Sequence, residues 1–264
     1  MSWICGDFER SQKAGHIYYD FCLKEYGPGS TEAGNASTWL AGAYHNGGDD
    51  ISAEPYYKIG LEHRLAAAEP SHYLIGTSYS KLGRCAYKKH EFDTAKDYLD
   101  KAMAEFQAIY DAAADDAGRE QARWWSGDTI VEIERMLMEM GEYEKALPYC
   151  HESYEVFYQH EGKEISNSVY SLVDLGICYS ALGEYEKAEH YLQRALDLNI
   201  ELNGLVSLQT MRTREAIADN RLRQGDKEEA RRMYLEIELD LEKDYGPENP
   251  QVKMMREKRE KILV

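Results

Sequence analysis

The sequence predicts an all-α protein built as a solenoid of antiparallel helix pairs. Three observations carry this: a short motif that recurs at a fixed spacing, apolar residues that recur every three or four positions, and only six prolines in a chain rich in Ala, Leu, Glu, Lys and Arg.

The repeat comes first. Gly141-Glu-Tyr-Glu-Lys-Ala146 returns 42 residues later as Gly183-Glu-Tyr-Glu-Lys-Ala188, and 42 further on as Gly225-Asp-Lys-Glu-Glu-Ala230. Upstream, the same register passes through His90-Glu-Phe-Asp-Thr-Ala95, Gly48-Asp-Asp-Ile-Ser-Ala53 and Gly6-Asp-Phe-Glu-Arg-Ser11. The step from His90 to Gly141 is 51 residues, so nine are inserted, in or near 111–127. Glycine fills the first column except at His90, as a tight turn with a left-handed residue requires. Five places on, Ser11, Ala53, Ala95, Ala146, Ala188 and Ala230 are all small, where two helices would approach closely. Three places later the residues are Ala14, Tyr56, Tyr98, Tyr149, Tyr191 and Met233, most of them bulky enough to fill between neighbouring pairs. Glycine returns at Gly27, Gly162, Gly204 and Gly246, where the second helix of each pair should end. Glu134, in a column otherwise Ala or Gly, and Arg221, in place of a tyrosine, predict that the third and fifth pairs pack differently.

Helices are expected near 7–26, 33–46, 51–68, 71–89, 92–113, 120–140, 143–161, 166–182, 185–203, 207–224, 227–245 and 249–262. They make about five hairpins, preceded by a half-repeat and followed by a capping helix, in a single domain over 1–264. The inserted residues extend the preceding helix or form a loop; the sequence does not choose. The first helix is the second member of a pair and lacks its partner, which leaves Phe8, Ile17, Tyr18 and Phe21 uncovered. A cap from Trp3 and Ile4, self-association into a homodimer, or a chain start placed too late would each account for that face. The last segment, with Lys253, Arg256, Lys258, Arg259 and Lys261, reads as a solvated cap of the kind stacked repeats need.

Composition narrows the function. With 48 acidic and 31 basic residues the net charge is −17, a surface that repels phosphate backbones and attracts basic partners, so no nucleic-acid partner is expected. No stretch approaches the roughly 20 apolar residues needed to span a bilayer, and the start lacks a secretory pattern, so no membrane partner is expected and the chain reads as cytoplasmic. The five cysteines are scattered, without a CxxC pair, and read as buried apolar residues. There is no phosphate-binding glycine motif, no nucleophile elbow, and no histidine after His151-Glu152 at metalloprotease spacing. No catalytic residue, metal or cofactor is predicted.

Leu175-Gly176-x-x-Tyr179, Gly183, Ala188 and Ala195 resemble the tetratricopeptide repeat family, and Tyr44 and Leu82-Gly83 carry parts of the same pattern. The family unit is about 34 residues. Longer units such as this one resemble those of kinesin light chains and bacterial peptide receptors. The resemblance implies a right-handed superhelix whose concave face is lined by the first helix of each pair. In the family register, that face takes Asn35, Thr38, Gly42 and His45; Thr77, Ser80, Arg84 and Tyr87; Asp128, Val131, Arg135 and Met138; Tyr170, Val173, Ile177 and Ser180; and Arg212, Glu215, Asp219 and Leu222.

The resemblance therefore implies a protein-interaction scaffold that holds a peptide or partner segment in this groove, with no catalysis. Its expected peptide contacts are Asn35, Thr38, Ser80, Arg84, Tyr87, Arg135, Met138, Tyr170 and Ile177. Arg84 and Arg135, at equivalent positions of adjacent pairs, either hold a carboxylate of the ligand or pair with a neighbouring acid such as Asp128. A peptide-responsive sensor acting on a separate partner and a self-assembling module are the alternatives.

Overall fold

The computed structural model describes residues 7–161 and 165–262. The expected turn at Gly6, helix end at Gly162 and cap from Trp3 and Ile4 lie outside them. Among the described residues there are twelve α-helices and no strand. They are grouped in two compact units, Met1–Glu139 and Met140–Val264.

The first unit contains α1 (Asp7–Tyr26), α2 (Thr31–Asn46), α3 (Asp50–Leu65), α4 (His72–Lys88), α5 (Phe92–Ala112) and α6 (Asp116–Glu139). Each helix packs on the next, and α4 also touches α6, so first-of-pair helices lie beside one another. The second unit contains α7 (Tyr143–Glu161), α8 (Ser166–Ala181), α9 (Tyr185–Asn203), α10 (Leu208–Arg223), α11 (Lys227–Tyr245) and α12 (Pro250–Lys261). Here α8 touches α10 in the same manner.

The turn column behaves as its glycines predict. Gly48, Gly141, Gly183 and Gly225 have φ between 76° and 90°, and His90 occupies the same left-handed region at φ 60°. Gly27, Gly204 and Gly246 end their helices with φ of 86°, 82° and 80°. Ala53, Ala95, Ala146, Ala188 and Ala230 are fully buried. The helices also come close at the Leu-Gly pairs: a Cβ on Gly83 would stand 2.7 Å from Leu99, and one on Gly176 would stand 2.5 Å from Leu192.

The tyrosine columns build a device that recurs in each unit. Tyr44 stacks on Tyr56 with ring centroids 5.8 Å apart, and Tyr179 on Tyr191 at 5.4 Å. A histidine from the preceding second-of-pair helix meets each stack edge-on: His16 lies 2.7 Å from the Tyr44 hydroxyl, and His151 3.2 Å from that of Tyr179. His151 is thus part of the packing between repeats.

Two departures have physical reasons. The nine inserted residues lengthen α6 at its start instead of forming a loop, so α6 has 24 residues where α2, α8 and α10 have 16. Asp115 caps it, accepting from the Gly118 amide at 2.8 Å, and Trp125 packs on Tyr73 at 4.8 Å. Arg221, at the tyrosine position of the fifth pair, reaches Glu189 at 2.6 Å and replaces the aromatic stack with an ion pair.

Candidate functional site

In the first unit the helices α2, α4 and α6 carry the expected groove residues, and a chain of charges links their pairs. His45, at the end of α2, meets Asp50 at 2.6 Å. The Arg84 guanidinium on α4 then joins Asp50 at 3.2 Å to Glu132 on α6 at 3.3 Å. Tyr87, one turn further along α4, donates its hydroxyl to the other Glu132 oxygen at 2.6 Å. Burial alone would raise the Glu132 carboxyl. The charges of Arg84, Arg135 and Lys81, with the Tyr87 hydrogen bond, more than offset it and hold the group below the ordinary carboxylate range. Asp50 is lowered likewise: its burial is outweighed by the His45 hydrogen bond and the Arg84 charge.

Arg84 therefore pairs with acids of its own chain. The partners are Asp50 and Glu132; Asp128, the acid named from sequence, is exposed one turn before Glu132. Arg135 acts electrostatically on the same Glu132. Tyr87 and Ser80 are buried, whereas Asn35 is exposed and Thr38 and Met138 are partly exposed. The glutamate at the centre of this network was not among the residues singled out from sequence. Its signal was present: a carboxylate in the column that also holds Asp174.

Asp174 repeats the arrangement in the second unit. It is fully buried on α8 and receives Arg212 of α10 at 3.2 Å. Tyr170 and Ile177 of α8 remain partly exposed, while Val173 and Ser180 are buried. Beyond Arg212 the face made by α10 and α12 is hollow. A cavity of about 320 Å³ is lined by Leu208, Met211, Ile237, Leu241 and Met255, with Arg212, Glu215 and Gln251 supplying its polar groups. A second, of about 480 Å³, lies against Asp219, Leu222, Tyr234 and Lys258. All four expected groove positions of α10 line one cavity or the other.

The basic residues of α12 do more than face solvent. Lys258 pairs with Glu215 at 2.6 Å and Asp219 at 3.1 Å, and Tyr234 donates its hydroxyl to Asp219. Arg256 and Arg259 both hold Glu238 of α11, at 2.7 and 2.9 Å. Val252, Met255 and Ile262 bury the other side of the helix. This last helix is a cap fixed by ion pairs to the two helices before it.

Among the described residues, no three His, Cys, Asp or Glu side chains are grouped so as to hold a metal ion, and no helix is long and apolar enough to cross a membrane.

The tetratricopeptide repeat model matches residues 135–201 and 167–237. No curated protein matches the chain by sequence. Among solved structures, BtubC (BKLC) from P. vanneervenii is 16% identical, with a TM-score of 0.66 over 92% of this chain and 94% of that one. RapI in its apo form is 15% identical, with a TM-score of 0.61 over 86% of this chain and 81% of that one. A Podosopora anserina putative kinesin light chain with nearly identical TPR-like repeats is 16% identical, with a TM-score of 0.55 over 80% of this chain and 95% of that one. At these identities the likeness is one of fold.

Proposed function

From the premise that the chain carries tetratricopeptide repeats, we propose that it is a cytoplasmic interaction scaffold that takes a peptide or partner segment on the face of its first-of-pair helices. The observation that carries this is the apolar cavity between α10 and α12. Met211, Ile237, Leu241 and Met255 line it, and the half-exposed Leu208 stands at its edge. An aliphatic or aromatic side chain fits such a site, and Arg212 adds donors that one contact with Asp174 does not exhaust. Tyr170 and Ile177 on neighbouring α8 extend the same face. In the first unit Asn35, Thr38 and Met138 are the accessible positions, with Arg84, Arg135, Ser80 and Tyr87 serving as their support.

The charge of −17 favours a segment with basic flanks. A displayed random-peptide library selected on the whole protein tests the reading. Selected peptides should share an apolar anchor and lose at least about tenfold in affinity to Leu208→Asp or Gln251→Trp at the cavity edge, and to Tyr170→Ala. Peptides indifferent to all three variants, or no selected peptide at all, would remove the assignment.

A second reading, self-association through α1, is favoured by a separate observation: Ile17, Phe21 and Tyr18 are 71%, 51% and 47% exposed. A scaffold that dimerises would present its peptide face twice.

A further inference from the structure

Resting on that second reading, we infer that α1 is the seam of a two-fold dimer in which two copies of this helix lie antiparallel, centred between Ile17 and Tyr18. The exposed side of α1 carries Arg10, Ala14, Ile17, Tyr18, Phe21 and Glu25, spaced by three and four so that they form one stripe along the helix. The opposite side is spent on the fold: Gly15 and Cys22 are buried, and a Cβ on Gly15 would stand 2.7 Å from Leu40 of α2. Three large apolar side chains on one open stripe are more than a lone helix surface ordinarily leaves in water.

The identity of the occupant follows from the order of residues along the stripe. Reversing α1 about its midpoint sets Ile17 against Tyr18 of the second copy, small Ala14 against bulky Phe21, and Arg10 against Glu25. A two-fold axis produces each of these contacts twice. Among the described residues neither Arg10 nor Glu25 forms an ion pair within its own chain, and both are exposed. A stripe that is apolar at its centre and oppositely charged at its two ends is complementary to its own reverse. A parallel copy would instead place like charge beside like charge.

The unit repeat adds a second reason. Tyr18 occupies the column held by Gly60, Ala102, Ser153 and Ala195 in four of the other five second-of-pair helices, and by Ile237 in the fifth. At Gly60 the neighbouring helix comes so close that an added Cβ would collide with Thr38. A tyrosine at this place is unsuited to that close approach, and suited to the wider spacing of a seam filled by large side chains.

Sedimentation equilibrium of the whole protein over roughly a hundredfold range of concentration reads the outcome, since dimer formation follows mass action. Wild-type protein should pass from monomer to dimer. Arg10→Glu and Glu25→Arg, each with an unchanged helical circular dichroism spectrum, should each weaken self-association by at least about tenfold, because each places like charges opposite one another. Mixing the two variants restores both pairs and should give a heterodimer of wild-type strength. A dimer unaffected by either charge variant but lost in Ile17→Asp would keep α1 as the seam and overturn the antiparallel register. A wild-type monomer at every concentration, or a dimer that survives Ile17→Asp, would sink self-association through α1 altogether. A dimer that forms only after residues 1–6 are deleted would make that segment the occupant of the stripe and overturn the proposal.

Discussion

At the level of single residues, the turn between α4 and α5 holds a histidine in a backbone state that its sister turns give to glycine. His90 has φ 60° where Gly48, Gly141, Gly183 and Gly225 have 76° to 90°. The left-handed region costs an L-residue roughly 1–2 kcal/mol, while glycine's extra freedom in the unfolded chain takes back about 0.5–1 kcal/mol. His90 recovers something through its ring contact with Phe92 at 5.7 Å. His90→Gly should therefore stabilise the fold by about 0.5 kcal/mol, and Gly183→Ala should destabilise it by about 1 kcal/mol. Urea unfolding of the two variants measures both. A loss of stability in His90→Gly would mean that the imidazole makes contacts worth more than the strain. The turn column was readable from sequence because one backbone requirement selects glycine at every repeat but that of His90. The partners of Arg84 were not, because they depend on which of several acids, brought close only by folding, turns inward. Asp128 and Glu132 are one turn apart on α6, and only packing decides that Glu132 is buried and Asp128 exposed.

Between elements, the same contrast separates what repeats from what does not. Helices α9 and α11 begin and end where the motif spacing puts them, and so do the end of α1 and the start of α7, since these ends are marked by turn residues that recur. Helix α6 begins at Asp116, four residues before its expected start, because the insertion has no counterpart in the other repeats. The signal there was local: Asp115 as a cap, which an alignment of repeats passes over. The link from α3 through α4 to α6 likewise depends on charge and not on period. Glu132 is buried, and its carboxyl is held low by Arg84, Arg135, Lys81 and Tyr87 against the cost of burial. A group whose folded value is depressed binds fewer protons in the native state, so its stabilisation is complete above the unfolded carboxylate range and fades as the pH falls through the folded value. Glu132→Gln should cost about 1–3 kcal/mol at neutral pH. That deficit should shrink as the solution is acidified below the ordinary carboxylate range, toward the lower folded value at which the wild-type carboxyl takes up its proton. Denaturation of both proteins across this interval checks the sign. A gap of constant size would show that Glu132 contributes through shape alone.

Over the molecule as a whole, two electrostatic effects oppose each other, and salt separates them. An excess of 17 negative charges on 264 residues repels itself in the folded state. Against this stand numerous ion pairs, many of them exposed pairs three or four residues apart on one helix, such as Lys96 with Asp100 and Arg232 with Glu236. Pairs of that kind contribute about 0–1 kcal/mol each and weaken as salt is added. The better buried links, Arg84 with Glu132 and Arg259 with Glu238, are screened far less. The repulsion is long-ranged: the screening length is about 30 Å at 0.01 M salt and about 8 Å at 0.15 M, so moderate salt removes most of it while the buried pairs persist. The melting temperature should accordingly rise between those two salt concentrations, by a few degrees if the change is of the order of 1 kcal/mol. The charge repulsion between two copies would be screened in the same interval, so the measurement belongs at a protein concentration low enough to keep the chain monomeric. A melting temperature that falls with salt would mean that the exposed ion pairs act as a connected network and outweigh the net charge, and the acidic surface would then be a source of stability as well as a means of attracting a basic partner.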